Sequence, residues 1–284
     1  MINVEVRQYL VFTDLDGSLL DHHNYSYGDA LPQLRQLERR GIPVIPASSK
    51  TRVEIERLRT ELCNDHPFIV ENGAAIYIPV GYFDAQPQAT VERDGYWVRE
   101  MSPPRVQWLE LLRDLEEQFP GDFDYFYRAG VEGIMGMTNL PRERAAEANT
   151  REYSEPVKWF GDEPGREAFL QRLEGAGARV LQGGRFLSVC GDCDKGSALR
   201  WLRQVYQQQQ PLRPCHDLAV GDSANDCAML EVAASALVIR STVHDFPPLQ
   251  RSKNVIYSDD FGPAGWAQGV ALWLHQQQLQ IREN

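Results

Sequence analysis

Four short clusters hold the side chains best suited to chemistry. The first is Asp14-Leu15-Asp16-Gly17-Ser18. Residues i and i+2 of an extended chain point to the same side, so both carboxylates can face one site. Gly17 would let the chain turn sharply beyond them. A solvated turn uses the same residue types, so this cluster alone leaves both readings open. The second is Ser48, whose hydroxyl can donate to a phosphoryl oxygen or cap a helix. The third is Lys195 in Asp194-Lys195-Gly196, where a surface lysine is the bland alternative. The fourth is Gly221-Asp222-Ser223-Ala224-Asn225-Asp226, which adds two more carboxylates.

These clusters need elements to bring them together. The apolar run 9–13 ends in the charged loop 14–21 and reads as a buried strand. Asp29 is expected to cap a helix that runs to Arg40, with Gly41 as its stop. A strand over 43–47 leads through Ser48-Ser49-Lys50-Thr51 into a helix carrying Val53, Ile55, Leu58 and Leu62. A third strand, 68–70, precedes Glu71-Asn72-Gly73. Alternating strands and helices with short connections predict a parallel sheet, an α/β core of Rossmann-like type. Ligands of such sheets bind beyond the carboxyl ends of the strands, where the four clusters fall.

From about residue 82 the pattern changes, and the stretch 82–187 reads as an inserted α+β module. Residues 1–81 and 188–284 then form the core. Within the module, helices are expected near 108–119, 142–149 and 165–174, and strands near 133–137, 157–160, 179–181 and 186–190. Beyond Lys195 the alternation resumes with a helix to about 207, a strand over 217–220 and a helix over 225–232. The glutamine-rich stretches 207–210 and 276–280 read as solvated helix ends.

The chain has 284 residues, 29 Lys+Arg against 40 Asp+Glu, and a net charge of −11. That balance argues against nucleic acid as a partner, which requires a basic footprint. It allows a small phosphorylated substrate if a local cation offsets the repulsion. The five cysteines are scattered and suggest no disulfide framework. Cys190-x-x-Cys193 is either a metal or redox pair or, more simply, a strand end entering a loop. No apolar run approaches the ~20 residues that span a bilayer, and the first residues carry charges. A soluble, cytoplasmic protein without a membrane partner is expected. Oligomeric state leaves no mark in the sequence.

The order Asp-x-Asp, Ser, Lys, Gly-Asp-x-x-Asn-Asp resembles the haloacid dehalogenase phosphatases. The resemblance implies that Asp14 attacks phosphorus and forms an aspartyl-phosphate. Asp16 would then protonate the leaving oxygen and later activate water. It further implies Mg²⁺ among Asp14, the Asp16 carbonyl and Asp222, with Asp226 close by. Ser48 and Lys195 would hold the non-bridging oxygens. The inserted module stands where the Cof-like branch of that superfamily places its cap.

A narrower resemblance rests on Ser48-Ser49-Lys50-Thr51, Glu71-Asn72-Gly73-Ala74, Arg151-Glu152-Tyr153-Ser154-Glu155, Gly183-Gly184-Arg185-Phe186 and the fourth cluster. Over about residues 10–238 the chain is similar to the mannosyl-3-phosphoglycerate phosphatases, which release mannosylglycerate, a compatible solute. Ser-Ser-Lys replaces the Thr-Gly-Arg usual in the wider branch, which favours the narrower family. Ser18 replaces a commoner Thr and keeps the hydroxyl. This resemblance implies a small phosphorylated glycosylglycerate as substrate. It adds Ser49, Lys50, Glu71, Asn72, Gly183, Gly184 and Arg185 as binding residues. Arg185 offers a planar fork to a carboxylate, or it is an exposed residue of a strand-opening turn. Glu71-Asn72-Gly73 either binds substrate or forms a turn at the core–cap junction. A glucosyl substrate, or another sugar phosphate, is an alternative. A non-catalytic phosphosugar-binding protein is the alternative of another class, and intact Asp14 and Asp16 speak against it.

Overall fold

The computed structural model describes residues 7–182 and 186–283. The first elements are β1 (Gln8–Thr13), α1 (Leu31–Arg39), β2 (Val44–Pro46), α2 (Arg52–Leu62), β3 (Phe68–Val70) and β4 (Ala75–Pro79). A hairpin follows, β5 (Val91–Arg93) and β6 (Tyr96–Glu100). Then come α3 (Arg105–Leu115), β7 (Phe123–Tyr125), α4 (Phe126–Thr138), α5 (Arg142–Ala148) and β8 (Glu155–Trp159). The middle of the chain closes with α6 (Glu163–Gly175), β9 (Arg179–Gln182) and β10 (Leu187–Cys190). The last third holds α7 (Lys195–Gln209), β11 (Cys215–Gly221), α8 (Cys227–Val232), β12 (Ser235–Arg240), β13 (Val255–Phe261) and α9 (Gly262–Glu283).

Five strands form a parallel sheet in the order β13-β12-β11-β1-β2. Successive residues of β1 alternate between its two faces. Leu10 and Phe12 pack with Leu199, Leu202 and Met229, while Val11 joins Leu37, Trp266, Val270 and Trp273. Helices on both faces make β1 and β11 buried central strands, as an α/β core requires. The expected α/β architecture with an inserted α+β module is therefore present.

Several local expectations are corrected. Ala47, just past β2, forms an isolated parallel bridge to Ile69 of β3, which lies outside the five-stranded sheet. Glu71, Asn72 and Gly73 all adopt positive φ, at 49°, 62° and 97°. The chain reverses there, so β3 pairs antiparallel with β4 in a sheet of order β3-β4-β6-β5. Residues 133–137, expected as a strand, lie inside α4. Val131, Ile134 and Met135 share one helical face, and Ile134 is buried against Ala145 and Ala148 of α5. A short apolar run does not by itself separate strand from helix. Asp29 is not a cap: a 3-10 turn, Gly28–Ala30, feeds α1, whose N-cap is Ala30 and whose first turn holds a proline.

The hairpin β5–β6 was not foreseen. It pairs with β4, so this sheet runs across residue 82. A second antiparallel sheet, β7-β8-β10-β9, extends to Cys190. It packs on α3 and α6 through Trp108, Leu112, Phe123, Val157, Phe169 and Leu173. The two passages between the sheets, at 101–104 and 191–194, lie side by side, with the Gly191 amide donating to Ser102 Oγ at 2.9 Å. Among the described residues no helix is long and apolar enough to cross a membrane.

Candidate active site

Asp14 follows β1 directly, and its amide continues the ladder to the Val220 carbonyl at 2.8 Å. Asp222 follows β11, the neighbouring strand. The two carboxylates thus meet because two adjacent parallel strands end at the same level. Asp14, Asp222 and Asp226 are all buried, and each offers an oxygen within 4.8 Å of the others. Gly17 has φ +80°, and a Cβ there would stand 2.7 Å from Asp222 Oδ2. Both the sharp turn and the close approach need a glycine. Ser18 Oγ donates to Asp222 Oδ1 at 3.3 Å.

Lys195 is no surface lysine. It opens α7, capped by Asp194, whose carboxylate accepts from the Ser197 amide. Its side chain is fully buried, with Nζ 2.5 Å from Asp14 Oδ1 and 2.6 Å from Asp226 Oδ1. The other oxygen of Asp226 accepts from the amides of Asp222 at 3.1 Å and Ser223 at 3.0 Å. Asp226 therefore braces both the lysine and the loop that carries Asp222.

Three buried carboxylates face one ammonium here, and the imbalance shows in their proton affinities. Burial first, then Asp226, pushes the Asp222 carboxyl up to about 7, against the pull of Lys195 and Ser18. Burial also raises Asp14 well above the usual carboxylate range, against the pull of Lys195. Burial works to lower the Lys195 ammonium, but Asp14 and Asp226 outweigh it and raise it. Excess negative charge, all from oxygen donors, fits a hard divalent cation. Asp14, Asp222 and Asp226 form the group that can hold it. Asp16 stands at the edge: Oδ2 is 2.8 Å from Lys50 Nζ, while Oδ1 is buried without a hydrogen-bond partner. Burial lowers the Lys50 ammonium, and Asp16 and Glu54 more than reverse that.

Ser48 is buried and does not cap α2. Thr51 does, in a capping box with Glu54, so the Ser48 hydroxyl stays out of the helix terminus. Ser48 Oγ accepts from the Lys50 amide at 3.3 Å. The Glu71-Asn72-Gly73 turn touches three of the clusters. The Asn72 amide donates to the Ser48 carbonyl at 2.9 Å, and Asn72 Oδ1 accepts from Asn225 Nδ2 at 3.0 Å. Gly73 lies so close to the start of α7 that a Cβ would come within 2.2 Å of the Asp194 carbonyl oxygen. The Glu71 carboxylate is occupied by the amides of Glu152, Tyr153 and Ser154 and by Ser154 Oγ. Of the two readings of this turn, a junction between core and cap describes Glu71. Ser49 offers its carbonyl to Arg151 at 2.7 Å. Gly183, Gly184 and Arg185 lie outside the described residues.

Two residues near the site were missed. His244, in the connection from β12 to β13, places Nε2 3.3 Å from Asp222 Oδ2. A lone histidine in a polar loop carries no pattern that could have revealed it. For Arg151, nothing local tells that its guanidinium reaches Ser49. Cys190 and Cys193 are buried free thiols at the end of β10, and a hydrogen bond with Cys190, followed by burial, pushes Cys193 up. The strand-end reading of this pair describes them.

Comparison with known proteins agrees with this geometry. Residues 11–86 match the family described as haloacid dehalogenase-like hydrolase. A glucosyl-3-phosphoglycerate/mannosyl-3-phosphoglycerate phosphatase of Methanococcoides burtonii is 33% identical over 93% of this chain and 96% of its own length. A mannosyl-3-phosphoglycerate phosphatase of Pyrococcus horikoshii is 36% identical over 83% of this chain and 92% of its own. Among solved structures, a Synechocystis sucrose-phosphatase has the same fold, with TM-score 0.58 at 16% identity, covering 94% of this chain and 98% of that one. Buried carboxylates beyond the ends of β1 and β11, a lysine bridging Asp14 and Asp226, and identity carried across core and insertion lead to one family: this chain belongs to the haloacid dehalogenase-like hydrolases, among the glycosyl-3-phosphoglycerate phosphatases.

Proposed function

We propose that the protein is a Mg²⁺-dependent phosphatase that hydrolyses mannosyl-3-phosphoglycerate to mannosylglycerate and inorganic phosphate. The observation that carries the chemistry is the contact of Lys195 Nζ with Asp14 Oδ1 at 2.5 Å inside a carboxylate cluster. An ammonium held there works against the burial that raises Asp14, favouring the ionised form that attacks, and stays in reach of the phosphoryl oxygens as charge shifts. Asp14 attacks phosphorus and the bond to the glycerate oxygen breaks, leaving an aspartyl-phosphate. Asp16 gives the leaving oxygen its proton. Asp16 then takes a proton from water, which displaces Asp14 from phosphorus and frees phosphate. Ser48 donates to a non-bridging oxygen throughout. Asp14, the Asp16 carbonyl and Asp222 would hold Mg²⁺, braced by Asp226; when bound, it offsets the charge of the carboxylates and the phosphate dianion.

The substrate reading draws on the relatives of Methanococcoides and Pyrococcus, whose names carry glycosyl-3-phosphoglycerates. The Methanococcoides relative is named for both glucosyl and mannosyl substrates, which favours glucosyl-3-phosphoglycerate as a second substrate here. The inserted stretch 82–187 selects the leaving group in this reading, with Ser49, Lys50 and Arg185 toward the glycerate carboxylate. A panel of mannosyl- and glucosyl-3-phosphoglycerate, sucrose phosphate and hexose phosphates, ranked by kcat/KM with Mg²⁺, tests it. A hexose phosphate leading that ranking would refute the substrate assignment. Arg185→Ala should cost on the order of ten- to hundred-fold in kcat/KM on a phosphoglycerate ester, and much less on an aryl phosphate without a carboxylate.

A further inference from the structure

The segment Arg151-Glu152-Tyr153-Ser154-Glu155 has no part in the chemistry above, yet every residue of it is engaged. Glu152 pairs with Arg52 of α2 at 3.0 Å, Tyr153 Oη donates to Glu100, and Glu155 is buried against Arg105. The remaining two point to the site. Glu71, buried at the end of β3, receives the amides of Glu152 at 2.8 Å, Tyr153 at 3.2 Å and Ser154 at 2.8 Å, and the Ser154 hydroxyl at 2.6 Å. Successive amides converging on one carboxylate form an anion-binding nest, and such charge-assisted bonds are strong. They set the segment at one place on the core. Arg151 then lies with Nε 3.1 Å from Ser154 Oγ and 3.6 Å from Glu71, and its Nη2 donates to the Ser49 carbonyl at 2.7 Å.

That last contact reaches the loop bearing Ser48 and Lys50. All three of its carbonyls are anchored: Ser48 by the Asn72 amide, Lys50 by the Glu71 amide, and Ser49 by Arg151. The first two anchors belong to the turn after β3. The third comes from the stretch between β7 and β8, whose strands belong to the other antiparallel sheet. We propose that Glu71 and Arg151 are positioning residues for phosphoryl transfer: Glu71 seats the inserted module, and the seated module delivers the Arg151 guanidinium that fixes the Ser48–Lys50 loop. This rests on the role given above to Ser48. A peptide plane that loses its anchor can rotate, and displacement of a reacting group by about an ångström costs up to ~100-fold in rate.

The test separates loop positioning from plain attachment of the cap. Wild type, Arg151→Ala, Arg151→Lys, Glu71→Gln and the double variant Arg151→Ala/Glu71→Gln are assayed with para-nitrophenyl phosphate and with mannosyl-3-phosphoglycerate, with melting temperatures in parallel. Both substrates share the phosphoryl group and differ in the leaving group. Arg151→Ala should lower kcat by roughly ten- to hundred-fold on both. Arg151→Lys should recover part of that loss on both, because one ammonium donor still matches one carbonyl. The double variant should lose less than the product of the single losses, as coupled residues do. A loss confined to mannosyl-3-phosphoglycerate, with aryl phosphate turnover unchanged, overturns the proposal and leaves the pair as a cap anchor. If Arg151→Ala does not fold, Arg151→Lys against wild type is read the same way. A wild type inactive on both substrates overturns the phosphatase reading itself, and this proposal with it.

Discussion

The Lys195 ammonium and the Asp226 carboxylate meet at 2.6 Å with neither side chain exposed. With its second oxygen on the amides of Asp222 and Ser223, Asp226 holds Lys195 against Asp14 and keeps the loop that carries Asp222 in shape. Removing one member of such a group leaves an uncompensated buried charge, at a cost of about 3–5 kcal/mol. Lys195→Ala should therefore lose both turnover and a substantial part of its stability, read as a lower urea midpoint. An unchanged midpoint would mean that the lysine contributes to catalysis alone.

Asp14→Asn keeps size and burial but removes the attacking charge. It should fold normally and lose turnover by roughly a thousand-fold or more. Acid quenching of wild type with labelled substrate should place the phosphate on Asp14, located by peptide mapping. Label on a serine or histidine would sink the covalent mechanism.

The raised carboxyls give the cation-free protein a definite pH dependence. Asp222 is pushed up to about 7 and Asp14 is raised as well, while unfolded carboxyls titrate near their ordinary values. Between those limits the folded state binds more protons than the unfolded one, so stability falls as pH rises from about 4 to about 7. Melting in EDTA should thus be lower at pH 8 than at pH 5.5. Mg²⁺ should raise the melting temperature more at pH 8, since it replaces protons already lost there. An equal cation effect at both pH values would argue against the carboxylate cluster as the binding group. Activity should vanish in chelator and return with Mg²⁺.

Gly73 takes φ +97°, and its missing side chain leaves room for the Asp194 carbonyl at the start of α7. Gly73→Ala must displace the end that carries Lys195 and also strain its own backbone, costing on the order of 1–3 kcal/mol. A lower melting temperature together with a lower kcat on any phosphate ester is expected. Loss of stability with kcat intact would show that α7 adjusts without moving Lys195.

The sequence by itself determined the strand ends and what stands on them. Short continuous apolar runs announce β1, β2 and β11, and the residues just beyond them include Asp14, Ser48 and Asp222, because local pattern and local chemistry coincide there. It did not determine the course of the chain after β3. Three positive φ angles at Glu71, Asn72 and Gly73 turn β3 out of the parallel sheet, and only packing against Asp194 and the insertion holds residues other than glycine in that conformation. The helix around Ile134 was likewise decided by its contact with α5, not by its own short apolar run. Tertiary structure alone brought Arg151 to Ser49 and His244 to Asp222. Sequence patterns report which face of an element is buried, whereas these contacts join residues 102 and 22 positions apart, whose meeting depends on how whole elements dock.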